Sequence, residues 1–212
     1  MIKKIGITLR VETFQEYNEK RDALGHDWFD FFQKLNFIPI LIPNKLHDVE
    51  LFLNELKLDG LILSGGDNVG DDPERDTTEQ KIIHFALTNK IPLLGVCRGM
   101  QVLNRFFNGK IIFNATDNHV GNHHQIEVID SKFSKFLQTN YMNVNSFHRN
   151  LIDKTALGKD LTPFAISSTD QTIEGFFHET FPIMGVMWHP ERENPNSNQI
   201  QLVNMLYSDK IW

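Results

Sequence analysis

Two hydrophobic rhythms alternate along the first half of the chain. Lys3 to Leu9 is a short, nearly continuous apolar run, the pattern of a buried strand. Arg10 to Arg21 interrupts it with a charged segment rich in Glu and Asn, which reads as a loop. From Asp22 to Asn36 the residues Ala23, Leu24, Trp28, Phe31, Phe32 and Leu35 recur at helical spacing and predict an amphipathic helix. The cycle then repeats. Phe37 to Ile42 is a strand closed by Pro43, Leu46 to Leu56 a helix, and Gly60 to Leu63 a strand. Thr77 to Asn89 is a helix capped by Thr77 or Asp76, Ile91 to Val96 a strand, and Met100 to Asn108 the helix behind it. Four alternations predict an α/β fold with a mostly parallel central sheet flanked by helices, and such sheets bind ligands at the carboxyl ends of their strands.

Short β-like runs dominate the second half: Gln125 to Ile129, Tyr141 to Asn145, Phe164 to Ser168, Thr172 to Phe177 and Ile183 to Trp188, followed by a helix over Asn198 to Leu206. No repeat or linker separates the halves. We therefore expect residues 1–212 to form a single domain in which the later strands extend the same sheet. The apolar runs are too short for a transmembrane helix, and the N-terminus reads as a first strand, not a signal peptide. A single cysteine cannot form an internal disulfide, so cytoplasm is the expected compartment. The formal charge of −6 argues against a general nucleic-acid or anionic-membrane surface. Oligomeric state is left open, a homo-oligomer included.

That cysteine stands in Gly95-Val-Cys97-Arg-Gly99, at the end of an apolar strand and the start of a helix. The spacing is that of a nucleophile elbow, in which flanking glycines relieve the crowding of a strained turn. The pentapeptide alone fits a buried structural cysteine beside helix-packing glycines equally well. A nucleophilic cysteine needs a base. Among nine histidines, the one in Trp188-His189-Pro-Glu191 is the best placed, because an apolar strand delivers it to a strand end and a carboxylate two residues on can fix its tautomer.

The two segments together, Leu94-Gly-Val-Cys-Arg-Gly-Met-Gln101 and Gly185-Val-Met-Trp-His-Pro-Glu191, resemble the class I glutamine amidotransferase superfamily. Within it they look most like the γ-glutamyl hydrolases of the peptidase C26 group. Ser64-Gly-Gly-Asp67, Asp72-Pro-Glu-Arg-Asp76, Asn145-Ser-Phe-His148 and Glu174 are supporting matches. The resemblance implies a flavodoxin-like fold and a γ-glutamyl amide substrate, with Cys97 as nucleophile, His189 as base and then acid, and Glu191 as orienting carboxylate. It also implies an oxyanion hole from the backbone N–H groups of Gly66 and Arg98, and substrate contacts from Gln101, Ser146 and Phe147. No metal or organic cofactor is implied. A small-molecule γ-glutamyl conjugate is the expected partner, and a glutaminase subunit feeding ammonia to a separate synthetase is the alternative.

Arg10, Arg75, Arg98 and Arg192 fall in loops after strands or beside motifs, and could surround one mouth. Arg10 and Arg75 were the first candidates for an anionic leaving group. In that respect the chain resembles the hydrolases of γ-glutamyl-CDP-amidate that serve capsular phosphoramidate synthesis. His119, His123 and His124 lie within six residues, but no Cys or carboxylate at metal-ligand spacing accompanies them, so they read as a polar loop near the mouth. His148 reads as structural.

Overall fold

The computed structural model describes residues 2–115, 119–193 and 196–208. In chain order its elements are β1 (Lys3–Thr8), β2 (Arg10–Phe14), β3 (Glu19–Ala23), α1 (Asp27–Leu35), β4 (Phe37–Ile42), α2 (Val49–Leu56), β5 (Gly60–Leu63), α3 (Pro73–Asn89), β6 (Leu93–Val96) and α4 (Arg98–Phe106). They continue with β7 (Val120–Val128), α5 (Ser131–Leu137), β8 (Tyr141–Phe147), a 3-10 turn (Lys154–Ala156), β9 (Leu161–Ser167), β10 (Ile173–His178), β11 (Ile183–Val186) and α6 (Ser197–Leu206).

Nine strands form one sheet in the order β4-β1-β5-β6-β11-β10-β9-β7-β8. The first five in that order run parallel. They follow the 2-1-3-4-5 sequence of doubly wound, flavodoxin-like sheets. The remaining four strands add antiparallel, so the β-rich half extends the same sheet. Two apolar clusters cover its two faces. Trp28, Phe31 and Phe32 of α1, Phe133 of α5 and Leu202, Val203 and Leu206 of α6 pack on one. Leu53 of α2, Ile82, Ile83 and Phe85 of α3 and Met100 and Leu103 of α4 pack on the other. Among the described residues, no helix is long and apolar enough to cross a membrane.

Local chemistry explains where the elements depart from the hydrophobic pattern. Arg10 to Arg21 is not a loop: β2 and β3 pair antiparallel from Arg10–Ala23 to Phe14–Glu19. Most of that hairpin is exposed, so it carries no apolar alternation to read. Its last strand takes Asp22 and Ala23, which delays α1 to Asp27. Asp48 starts α2, its side chain accepting the N–H of Leu51 at 2.9 Å. Pro73 sits in the first turn of α3, where its missing N–H costs nothing. The helix therefore begins four residues before Thr77, and neither expected cap serves. The Thr77 hydroxyl donates back to the Pro73 carbonyl at 2.7 Å, and Asp76 turns outward to the N–H of Gly70 at 2.8 Å.

Gly99 shows how closely the layers meet. A Cβ there would run into the backbone carbonyl of Leu63, at the end of β5. Gly99→Ala should therefore cost about 1–3 kcal/mol of stability, as an overpacked contact does. Urea denaturation measures it, and an unchanged midpoint would mean that α4 and β5 do not touch at this point.

Candidate active site

β6 carries Cys97 to the carboxyl edge of the sheet, and α4 begins at the next residue. Cys97 has φ 51° and ψ −104°, a backbone conformation that a side chain adopts only under steric strain. The turn is held from both sides, because the Cys97 N–H donates to the Val186 carbonyl at 2.8 Å and its carbonyl accepts from Gln101 at 3.2 Å. A Cβ on Gly95 would lie 2.7 Å from the Gly99 backbone, so both glycines are needed for so tight a reversal.

β11, paired parallel to β6, delivers His189 to the same edge. Its Nδ1 lies 2.7 Å from Oε1 of Glu191, which leaves Nε2 on the far side of the ring. Burial works against charge on this imidazole. The carboxylate of Glu191 and the neighbouring Cys97 outweigh it, and the pKa is pushed up to about 10. Gly65 makes room for the ring, since a Cβ there would stand 2.7 Å from its Cε1. Asn145 clamps the His189 backbone from both sides. Its Nδ2 donates to the His189 carbonyl at 2.8 Å, and its Oδ1 accepts the His189 N–H at 2.9 Å. Reading by sequence gave Asn145 only as part of a motif; its role as a positioning residue depends on β8 lying beside this edge.

Beneath the site runs a buried ion network. Glu79 accepts from Thr8 Oγ1 at 2.9 Å and from Arg75 Nε at 3.0 Å, and also pairs with Arg98. Arg98 reaches Asp76 as well, and Arg75 donates to the carbonyls of Ser64 at 2.9 Å and Gly65 at 3.0 Å. Burial disfavours the Glu79 charge, but Arg75 and Arg98 more than offset it and hold its pKa below the ordinary value. The same burial, reinforced by Arg98, lowers the pKa of Arg75 despite Glu79.

The four arginines consequently do not share a mouth. Arg75 and Arg98 are spent below the loops, so Arg75 is not placed to touch a substrate, and only the backbone of Arg98 faces the site. Arg10 pairs with Glu12 at 3.3 Å, and Arg192 lies over the Phe147 ring at 4.7 Å. Both line a small cavity of 60 Å³ together with Gly65, Gly66, His189 and Glu191. Cys97 opens instead into a cavity of 210 Å³ bordered by Gly66, Asp67, Gln101, Phe147, Arg149 and Asn150. Gln101 and Phe147 thus reach the nucleophile's cavity, whereas the Ser146 hydroxyl is turned away to the His119 carbonyl at 2.8 Å. Arg149 lines this wall, as does Arg98, and no helical or strand pattern in the sequence points to it.

The histidine stretch also divides. His123 is exposed and meets Glu193 at 2.8 Å. His119 and His124 point into the protein, where Glu174 and His148 join them from elsewhere in the chain. The carboxylate missing from the local spacing is supplied by the fold.

A family model described as Peptidase C26 matches residues 4–191. The chain is 38% identical over 213 residues to a γ-glutamyl-CDP-amidate hydrolase of Campylobacter jejuni, covering 96% of this chain and 97% of that one. A glutamine amidotransferase structure from Thermotoga maritima superposes with a TM-score of 0.67 at 20% identity, covering 99% of this chain and 84% of the other. The glutaminase domain of Trypanosoma brucei CTPS, solved with bound acivicin, superposes with a TM-score of 0.71 at 13% identity, over 100% and 96% of the two chains. These likenesses assign the class I glutamine amidotransferase-like fold.

Glu191→Gln removes the charge that sustains the His189 imidazolium, so the midpoint of that ring should fall from about 10 by about one to three pH units. NMR titration of the ring measures it, and an unmoved midpoint would remove Glu191 from control of His189. A raised folded pKa also contributes stability that is fully present below the unfolded value of 6.5 and is lost as pH rises through about 10. Wild type should weaken over that window, and Glu191→Gln should show less of this alkaline loss.

Proposed function

Because the chain belongs to the peptidase C26 family, we propose that it hydrolyses γ-glutamyl amides through a thioester on Cys97. The observation that carries this reading is the strained Cys97 turn on β6, set beside the strand that delivers His189, whose imidazole Glu191 holds at Nδ1. A cationic imidazole beside a thiol is the arrangement that supplies a thiolate nucleophile. The sulfur attacks the γ-carbonyl carbon, and the carbonyl electron pair moves onto oxygen. The N–H groups of Gly66 and Arg98, at the ends of neighbouring strands, hold that oxyanion. As the tetrahedral intermediate collapses, His189 gives its Nε2 proton to the departing nitrogen and becomes neutral. It then takes a proton from water, which attacks the thioester and releases glutamate and the free thiol.

The cavity at Cys97 supports a glutamyl head group rather than a whole nucleotide. At 210 Å³ it is smaller than the roughly 300–1,000 Å³ of pockets that enclose drug-sized ligands. The departing group would then lie at the rim, where Arg149 offers positive charge to phosphate. Likeness to the Campylobacter jejuni enzyme supports γ-glutamyl-CDP-amidate as the substrate, with CDP-amidate and glutamate as products. Supply of such a product to capsular phosphoramidate synthesis is the corresponding cellular role.

Turnover of glutamine, γ-glutamyl amines and γ-glutamyl-CDP-amidate by the isolated protein tests the proposal. The CDP-amidate conjugate should have the highest kcat/KM, and Cys97→Ser should lower its kcat by on the order of 10⁴-fold or more. Undiminished turnover by Cys97→Ser would overturn the mechanism. Activity on glutamine alone, rising only when a synthetase is added, would favour the ammonia-supplying subunit instead.

A further inference from the structure

Glu174, on β10, is buried to 1% exposure in company that does not satisfy it. Neither of its carboxylate oxygens has a hydrogen-bond partner, and its ion-pair neighbours among the described residues are all histidines. His119 Nδ1 and His148 Nε2 each lie 3.7 Å from Oε1, and His124 Nε2 lies 3.5 Å from Oε2. All three ring nitrogens are themselves buried without partners. A buried carboxylate facing three unpaired nitrogens would cost several kcal/mol if nothing stood among them.

The separations are too long for hydrogen bonds and close to the edge of a coordination tetrahedron. With metal–ligand distances of about 2.0–2.1 Å, two tetrahedral ligands stand roughly 3.3–3.4 Å apart. His119, His148 and Glu174 each offer a ligand atom, and these three atoms all lie within 4.8 Å of one another. The outer nitrogens of the two imidazoles are already committed. His119 Nε2 lies 2.8 Å from Asp170 Oδ2, and His148 Nδ1 lies 3.1 Å from the Asn150 carbonyl. Both partners accept, so each outer nitrogen carries the proton and each inner one presents its lone pair.

We propose that His119 Nδ1, His148 Nε2 and a Glu174 oxygen bind one divalent transition-metal ion of the zinc class. Imidazole and carboxylate donors without thiolate suit Zn²⁺, and three protein ligands leave its fourth position to water. His124 Nε2 faces the other Glu174 oxygen at 3.5 Å and stands beside this set. The ion would fasten the residues leading into β7 to β10 and to the end of β8. It touches no reacting atom. Its effect on the site is positional: His148 is flanked by Phe147 and Arg149 on the wall of the Cys97 cavity, and the Glu174 carbonyl accepts the N–H of Met187 at 2.8 Å, two residues before His189.

The test is metal content and thermal stability, neither of which depends on turnover. The full chain is stripped with a chelator, incubated with Zn²⁺, freed of excess and analysed for bound metal, in wild type, Cys97→Ser, His119→Ala, His148→Ala, Glu174→Gln and Asp170→Asn. Wild type and Cys97→Ser should retain one equivalent, with a Tm that falls on stripping and returns with Zn²⁺. Glu174→Gln, which keeps shape and can fold, should retain less than a tenth of that and lose the Zn²⁺-dependent rise in Tm. Asp170→Asn should bind about 10–100-fold more weakly. Wild type loaded with Co²⁺ should show the visible absorption of a tetrahedral nitrogen and oxygen site. Retention below a tenth of an equivalent by wild type, or retention that Glu174→Gln and the histidine variants leave unchanged, would overturn the proposal.

Discussion

The arrangement of the site depends on one buried carboxylate. Glu79, on α3, joins β1 through Thr8, its own helix through Arg75 and the first residue of α4 through Arg98. Arg75 carries the connection onward to the carbonyls of Ser64 and Gly65. The glycine loop after β5 and the helix start after β6 are thereby fixed to the same anchor. These are the two segments whose backbone N–H groups would face a developing oxyanion. Arg75, Arg98 and Glu79 lie at near-complete burial, with half-buried Asp76 at their edge, and such a network is stable only while its buried members are all present, because removing one leaves a charge without a partner at about 3–5 kcal/mol. Such a network supplies geometry more than net stability. Sub-ångström placement of donors is what preorganised electrostatic catalysis requires.

That anchor also explains how the chain tolerates strain at Cys97. A non-glycine residue at φ 51° persists only when its surroundings over-determine it. Here β11 holds its N–H, α4 holds its carbonyl, Arg98 is tied to α3, and the two flanking glycines clear the space between. His189 is fixed with equal redundancy, by Asn145 on its backbone and by Glu191 on its ring. Cys97 and His189 are therefore both held fast beyond the ends of two adjacent parallel strands.

The legible parts of the sequence are those where one physical signal dominates. Buried strands such as Gly60–Leu63 announce themselves as apolar runs, and the stripe Trp28, Phe31, Phe32 and Leu35 announces α1. The elbow and the His-Pro-Glu turn are legible because their glycines, proline and titratable groups are adjacent in the chain. The exposed β2–β3 hairpin is not, since it buries too little to impose alternation. Helix starts were misplaced wherever a cap or a proline, not apolar spacing, sets the boundary, as at Asp48 and Pro73. The arginines failed for a different reason. A loop position says that Arg75 lies near the sheet edge, but whether it points to the mouth or under the loop is decided by Glu79, a residue in the next turn of α3. The histidine cluster is the extreme case: His119 lies just before β7 and His124 on it, His148 just past β8 and Glu174 on β10, so no local spacing reveals the whole set.

Three buried glutamates set three versions of one electrostatic problem. Each is a carboxylate removed from water, and each must be compensated by what surrounds it. Glu79 is answered by two guanidinium groups, which cannot lose their charge, and the result is a permanent structural joint. Glu191 is answered by an imidazole, whose proton can leave and return, and that exchange is what the acid–base chemistry proposed at Cys97 needs. Glu174 is answered by three imidazoles whose nitrogens, buried without hydrogen-bond partners, face it at 3.5–3.7 Å. No hydrogen bond closes that gap, and imidazole nitrogens around a carboxylate are the donors that a divalent cation takes. The partner each glutamate lacks or possesses thus separates a scaffold joint from the proposed proton carrier and the proposed ion site.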